Sequence, residues 1–310
     1  MTPGHGAGRL GRVLRRVTRR RTSRGVILLY HRVADLPTDP QWLCVSPRRF
    51  AEHLEILRRH WSPLALDRLV QSVGDGTASG DAVAVTFDDG YHDNLDHAKP
   101  LLEQHGVPAT VFVTTGYLGG TREYWWDELE RLILIPPALP RRLVLWLGGH
   151  RLVHELGPAV ERGSDTPSPA WTILDTTRRS RRQELYASLH RALLGLSDDQ
   201  RRRVLDDLRT WAGLNGAARA THRALTPDEV IRLVDGGLID VGAHTVTHPV
   251  LSRWPAAMQR AEIAESKQHL ERIVGRPVAS FAYPFGTRAD YTRGTVGLVK
   301  HAGFARACTS

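Results

Sequence analysis

Cysteine is nearly missing from this chain: among 310 residues there are two, Cys44 and Cys308, and neither has a motif around it. That excludes a disulfide-stapled scaffold. With no apolar leader at the start, it reads as a cytoplasmic protein of a reducing compartment. Long apolar runs are missing as well, and none approaches the roughly 20 residues that a bilayer-spanning helix needs. Acids are absent from residues 1–25, which hold eight arginines (Arg9, Arg12, Arg15, Arg16, Arg19, Arg20, Arg21 and Arg24). The other 285 residues carry 34 basic and 33 acidic side chains, so nearly all of the net charge of +9 sits in this arm. The body is close to neutral, and no nucleic-acid partner is expected. Within the arm Leu10, Val13, Leu14 and Val17 fall at i, i+3, i+4 and i+7, a narrow apolar stripe on a cationic helix. Such a helix suits peripheral contact of residues 9–24 with an anionic membrane, at its inner face. A basic tail without fixed structure reads equally well.

What is present is the composition of a globular enzyme, 41% hydrophobic and 24% charged. The reading is an arm over 1–25 and one domain over 26–310, with an insertion at about 120–225. A first strand is expected at 26–30, then a helix opened by Ser46 and Pro47 with Phe50, Leu54 and Leu57 on one face. A β-branched run at 83–87, a helical stretch closing at Gly106 and a second run at 109–113 give strand, helix, strand. That order implies a parallel sheet. In the insertion, Trp125 leads a helix to Ile135, two runs joined by Gly148 and Gly149 read as a hairpin, and two Arg-rich helices follow. Their apolar stripes hold Leu185, Leu189, Leu193 and Leu196, then Val204, Leu205, Leu208 and Trp211, with the arginines expected on solvated faces. The regular pattern resumes at the capping box of Thr226, Pro227 and Glu229. A helix from 255 to 274, stopped by Gly275 and Pro277, and strands at 279–283 and 304–308 complete the chain.

Two blocks carry the chemistry. Thr86-Phe87-Asp88-Asp89-Gly90-Tyr91 ends a strand with adjacent carboxylates, and His244-Thr245-Val246-Thr247-His248 places two histidines four residues apart. Two imidazoles and one carboxylate are a ligand set for a divalent ion that keeps a position open for water, and a second carboxylate can serve as base. Asp89, His244 and His248 are the candidate ligands of one divalent metal ion, with Asp88 the base. Zinc is the default for this donor set, and such sites accept other divalent metals. His31, Asp88, Asp89, Thr114, His244 and Tyr283 all fall at or just past strand ends, which converge on one face of a parallel barrel.

Together the blocks resemble the polysaccharide deacetylases, the NodB-like proteins of carbohydrate esterase family 4. Their first two motifs, Thr-Phe-Asp-Asp-Gly and His-(Ser/Thr)-x-x-His, are both matched here. Residues 281–286, Phe-Ala-Tyr-Pro-Phe-Gly, look like the third motif, and residues 29–33, Leu-Tyr-His-Arg-Val, are similar to the opening of several deacetylases. The resemblance runs from about residue 26 to the C-terminus, with a poorly matching stretch in the middle. It implies an α/β fold: a distorted parallel (β/α) barrel, NodB-like and TIM-barrel-related, with a mainly helical insertion. It also implies hydrolysis of an N-acetyl group on a polysaccharide or lipid-linked sugar. It assigns Asp88 as base, Asp89, His244 and His248 as metal ligands, and the Phe285 N–H as oxyanion donor.

Two departures shape the remaining expectations. Ala282 stands where the family often has an arginine orienting the catalytic aspartate, so either another residue, with Arg288 the candidate, holds Asp88 or Asp88 is held less firmly. The chain stops at Ser310, before the family's last two motifs. The expectation is therefore a fragment with an incomplete barrel, or His31 in place of the missing general acid, or an impaired enzyme. Trp125, Trp126, Tyr283 and Tyr291 are candidates to meet sugar rings. Competing readings are a related C–N hydrolase, deformylase or cyclic amidase, and a non-catalytic glycan-binding or scaffold protein with a decayed site.

Overall fold

The computed structural model describes residues 24–310 apart from 120–121, 148, 159, 161–167, 169, 176–179 and 215–217. The arm, up to residue 23, lies outside them. Strand β1 (Gly25–Tyr30) is followed by β2 (Arg32–Val33) and β3 (Cys44–Val45), which pair with each other in parallel. Helix α1 (Pro47–His60) starts where Ser46 Oγ accepts from the Arg49 N–H, and it buries Phe50, Leu54 and Leu57. Then come β4 (Ser62–Pro63), α2 (Leu66–Gly74) and β5 (Ala82–Phe87). A π-helical turn, Asn94–Ala98, runs into α3 (Lys99–His105), which Gly106 closes at φ 60°, and β6 (Ala109–Val113) follows.

The middle stretch holds α4 (Trp125–Ile133), the antiparallel pair β7 (Arg142–Leu147) and β8 (His150–Glu155), α5 (Arg181–Leu193) and α6 (Asp198–Trp211). After it come α7 (Pro227–Val234), β9 (Ile239–Ala243), α8 (Ala256–Val274), β10 (Ser280–Ala282), α9 (Arg293–His301) and β11 (Arg306–Cys308). The capping box of Thr226 and Glu229 opens α7, and Gly275 at φ 68° closes α8.

The main sheet is parallel throughout, in the order β1-β5-β6-β9-β10-β11, with β4 beside the start of β5. With its helices it forms a half-barrel, a distorted and incomplete (β/α) arrangement. At one end of the sheet β1 leaves Val26, Ile27 and Leu29 exposed.

Side chains alternate along a strand, and this decides where the site faces. Val83, Val85 and Phe87 of β5, Val111 and Val113 of β6, and Ile239 and Val241 of β9 all join the large core with Leu54, Leu102, Leu233 and Ile263 from the helices. The residues between them point to the other face, where Ala82, Ala84, Phe112 and Ala282 form a small inner cluster. Carrying the same alternation past the strand ends puts Asp88 and His244 on that inner face. Gly242 makes the inner packing possible, since a Cβ there would lie 2.4 Å from the Phe112 ring and 2.9 Å from the Ser280 carbonyl.

A second core belongs to the middle stretch and gathers Trp125, Leu129, Leu143, Leu185, Leu189 and Leu208. Tyr91, from the first motif, is buried in it as well. The expectation that the arginines of α5 and α6 lie on solvated faces fails at Arg182 and Arg201, both about 98% buried or more. Arg182 donates to the carbonyls of Pro136 and Val160, and Arg201 to those of Leu196 and Thr247. A planar fork of donors fits irregular backbone whose carbonyls have no ladder partner, which a stripe count cannot register.

Candidate active site and metal centre

Asp88 and Asp89 follow β5, His244 follows β9, Tyr283 and Phe285 follow β10, and His31 follows β1. Because these strands run parallel, their ends meet, and all six residues with Trp126 and His248 line one cavity of about 530 Å³. The eight residues expected at the site are therefore together. Arg288 is not among them: it is exposed and, among the described residues, makes no ion pair with Asp88. Trp125 is also displaced, 2% exposed and packed on Trp126 and His190. Tyr291 stacks on Tyr283 at 4.4 Å and does not line the cavity.

Asp89 Oδ1 lies 3.4 Å from His248 Nε2 and 3.7 Å from His244 Nε2, and Asp88 Oδ2 is 3.9 Å from His244 Nε2. His244 Nδ1 meets the Ala282 carbonyl at 2.9 Å, which fixes that nitrogen as the protonated one and turns a bare Nε2 lone pair to the centre. Burial holds both imidazoles neutral, pushing His244 down to about 3 and His248 well below its ordinary value. Burial also raises both carboxyls, Asp88 to about 7 and Asp89 well upward, the latter with help from the neighbouring Asp88 charge. The buried oxygens Asp88 Oδ1 and Asp89 Oδ1, and His248 Nδ1, have no hydrogen-bond partner among the described residues. Orphaned carboxylate oxygens facing neutral imidazoles are costly without a cation. The donor set of Asp89, His244 and His248 therefore fits a divalent ion.

A second cluster, Asp127, Glu130 and His222, has similar spacing and a different chemistry. Arg219 Nη1 donates to Glu130 Oε2 at 3.0 Å, the Thr38 hydroxyl to Glu130 Oε1, and the Tyr91 hydroxyl to Asp127 Oδ2 at 2.7 Å. Both Glu130 oxygens and Asp127 Oδ2 are occupied and its cation is an arginine, so it reads as structure.

Backbone conformation marks the first cluster too. Asp89, Thr245, His248 and Phe285 have φ of 72°, 66°, 55° and 63°, a left-handed region that side chains disfavour and that concentrates at functional sites. The Asp89 carbonyl is pinned by the Thr114 N–H at 3.1 Å and the Tyr124 hydroxyl at 2.6 Å. Trp126 donates from Nε1 to Tyr91 Oη at 2.8 Å and sets its ring 5.0 Å from that of His248.

Residues 75–135 and 209–306, together 159 of the 310, match the family model described as polysaccharide deacetylase. The chain belongs to the polysaccharide deacetylase family. It is 26% identical over 108 residues to YxkH of Bacillus subtilis (strain 168), a match that spans 34% of this chain and 37% of that protein. Among solved structures, the Streptococcus pyogenes deacetylase PplD in complex with acetate aligns with a TM-score of 0.53 at 16% identity, over 92% of this chain and 82% of that one. IcaB from Ammonifex degensii gives 0.54 at 18%, over 92% and 83%. At such identities the likeness is one of fold.

For this polysaccharide deacetylase family member, the motif reading passed over His190. It reaches the same cavity from α5 and, among the described residues, has no side-chain hydrogen-bond partner there. Nothing in its sequence surroundings marks it, because a helix from a distant stretch brings it in. Cys308 lines the cavity as well, and burial pushes its thiol up to about 12, while that of Cys44 is raised for the same reason.

Proposed function

We propose that this chain removes N-acetyl groups from an N-acetylated polysaccharide or lipid-linked sugar by metal-dependent hydrolysis. The observation that carries the reading is the convergence of Asp88, Asp89, His244 and His248 on one cavity, with buried carboxylate oxygens that lack partners among the described residues. Family membership supports it, and so does the acetate in the streptococcal deacetylase of the same fold.

Asp89, His244 and His248 would hold the ion, which when bound lowers the pKa of water and polarises the amide carbonyl. Asp88, beside them and titrating near 7, is suited to take the proton of the attacking water. Phe285 lines the cavity with an N–H that no group among the described residues accepts, a donor available to the oxyanion. We assign protonation of the leaving amine to His31, which lines the same cavity; burial, against the smaller opposing effect of the Asp39 charge, lowers its pKa to about 4, so it is neutral at rest and would pass on the proton that Asp88 takes from water. Trp126 and Phe285 supply apolar walls for the acetyl group.

The experiment is acetate release from a panel of N-acetylated oligosaccharides, run with metal-replete protein and after chelation. Release that stops on chelation and returns with Zn2+ is expected. Metal-replete protein that releases no acetate from any member would overturn the reading.

A further inference from the structure

The loop from His244 to His248 carries both imidazoles and two left-handed residues, Thr245 and His248. Backbone of that kind persists only where its surroundings over-determine it. The determinants can be followed peptide by peptide. The His244 N–H donates to the Val113 carbonyl at 3.0 Å, and the N–H groups of Thr115 and Gly116 donate to the Thr245 and Val246 carbonyls at 3.1 and 2.8 Å. The His248 N–H donates to Thr245 Oγ1 at 3.1 Å. The N–H groups of Val246 and Thr247 both donate to one oxygen, Glu262 Oε2, at 2.8 Å, while Glu262 Oε1 accepts the Thr247 hydroxyl at 2.6 Å. At the next peptide, Arg201 donates to the Thr247 carbonyl at 3.4 Å.

We propose that Glu262 is a positioning residue for His248, a carboxylate on α8 that fixes the loop by taking two successive N–H groups and a hydroxyl. The assignment rests on the metal-site reading above. Two N–H groups aimed at one oxygen make a small positive concavity that favours a full negative charge, and hydrogen bonds to a charged acceptor are the stronger kind. No other carboxylate, among the described residues, touches these peptides. Without Glu262 the Val246 and Thr247 donors have no acceptor among the described residues, and the turn that aims His248 at Asp89 keeps the Thr115 and Gly116 bonds, the internal bond to Thr245 Oγ1 and the long Arg201 contact.

The test uses the full chain as Glu262→Ala and as Glu262→Gln, which keeps the shape and removes the charge, with exposed Glu265→Ala on the same helix as control. In the metal-free protein, amide exchange of Val246 and Thr247 is expected to accelerate in Glu262→Ala and, less, in Glu262→Gln. With Co2+ as probe, Glu262→Ala should lose about tenfold to a hundredfold in affinity, the scale seen for groups that orient metal ligands. Its visible absorption bands should shift, with Glu262→Gln between it and wild type. Unchanged exchange, affinity and bands in both variants would overturn the proposal. If the wild type binds no Co2+ at all, the metal reading fails, and the exchange comparison still decides whether Glu262 holds the loop.

Discussion

The two neighbouring aspartates are distinguished by what each faces. Asp89 points at both imidazoles, and Asp88 touches only His244, at 3.9 Å. Asp88→Asn should therefore abolish acetate release while retaining metal, and Asp89→Asn should lose both; metal analysis of the two proteins checks this, and equal metal loss contradicts it. His31→Gln should slow turnover most on substrates with poor leaving amines, which a leaving-group series would show. A different histidine sets part of the acid stability. His222 is pushed down to about 2 by burial and by Arg219 and Arg32. Its unfolded counterpart takes a proton near pH 6.5 and the folded residue does not, so its contribution is whole above that pH and is lost as pH falls from there toward 2. The stability margin of wild type over His222→Gln should narrow between pH 7 and 5, by at most about 1.4 kcal/mol per pH unit, in urea unfolding. At this scale the ligands were legible because their spacing is local. Glu262, Tyr91 and His190 were not, since their roles exist only once distant segments meet.

Among the elements, helix starts and stops were the clearest part of the sequence. Ser46 with Pro47, the box of Thr226 and Glu229, and Gly106 and Gly275 all cap where expected. The two-residue strands β2, β3 and β4 gave no signal, because two residues cannot display a period. Placement of the arginines in α5 and α6 was also hidden, since burial of a guanidinium depends on which carbonyls lie opposite. Gly242, in the middle of the sheet, shows how tightly β9 and β6 are fitted. Gly242→Ala should cost about 1–3 kcal/mol by forcing a Cβ between the Phe112 ring and the Ser280 carbonyl, measured as a lower urea midpoint. Leu189→Ala on α5 should cost about 2–5 kcal/mol through the second core.

Over the whole molecule, the half-barrel and its functional face followed from alternating strands and helices, whereas the shape of the middle stretch required the structure. The basic arm precedes Gly25 at the start of β1, whereas Asp88 meets the far end of that strand, its N–H donating to the Tyr30 carbonyl at 2.9 Å. Six strand residues at about 3.3 Å each put roughly 20 Å between Gly25 and the carboxylates, with Ile27 and Leu29 lining the cavity on the way. Deleting residues 1–23 should therefore weaken binding to anionic vesicles in a salt-dependent way and leave acetate release from soluble substrates unchanged. Vesicle sedimentation with and without salt tests the first part, and unchanged sedimentation would leave the arm unexplained. The same molecule is also convenient to label. Cys44 and Cys308 are half-buried, and burial keeps both thiols protonated at neutral pH. Thiol-directed dyes react through the thiolate, so they should ignore both native cysteines. One added cysteine at an exposed position such as Asp75 would then carry a single fluorophore for following arm, membrane and substrate in one natively folded chain.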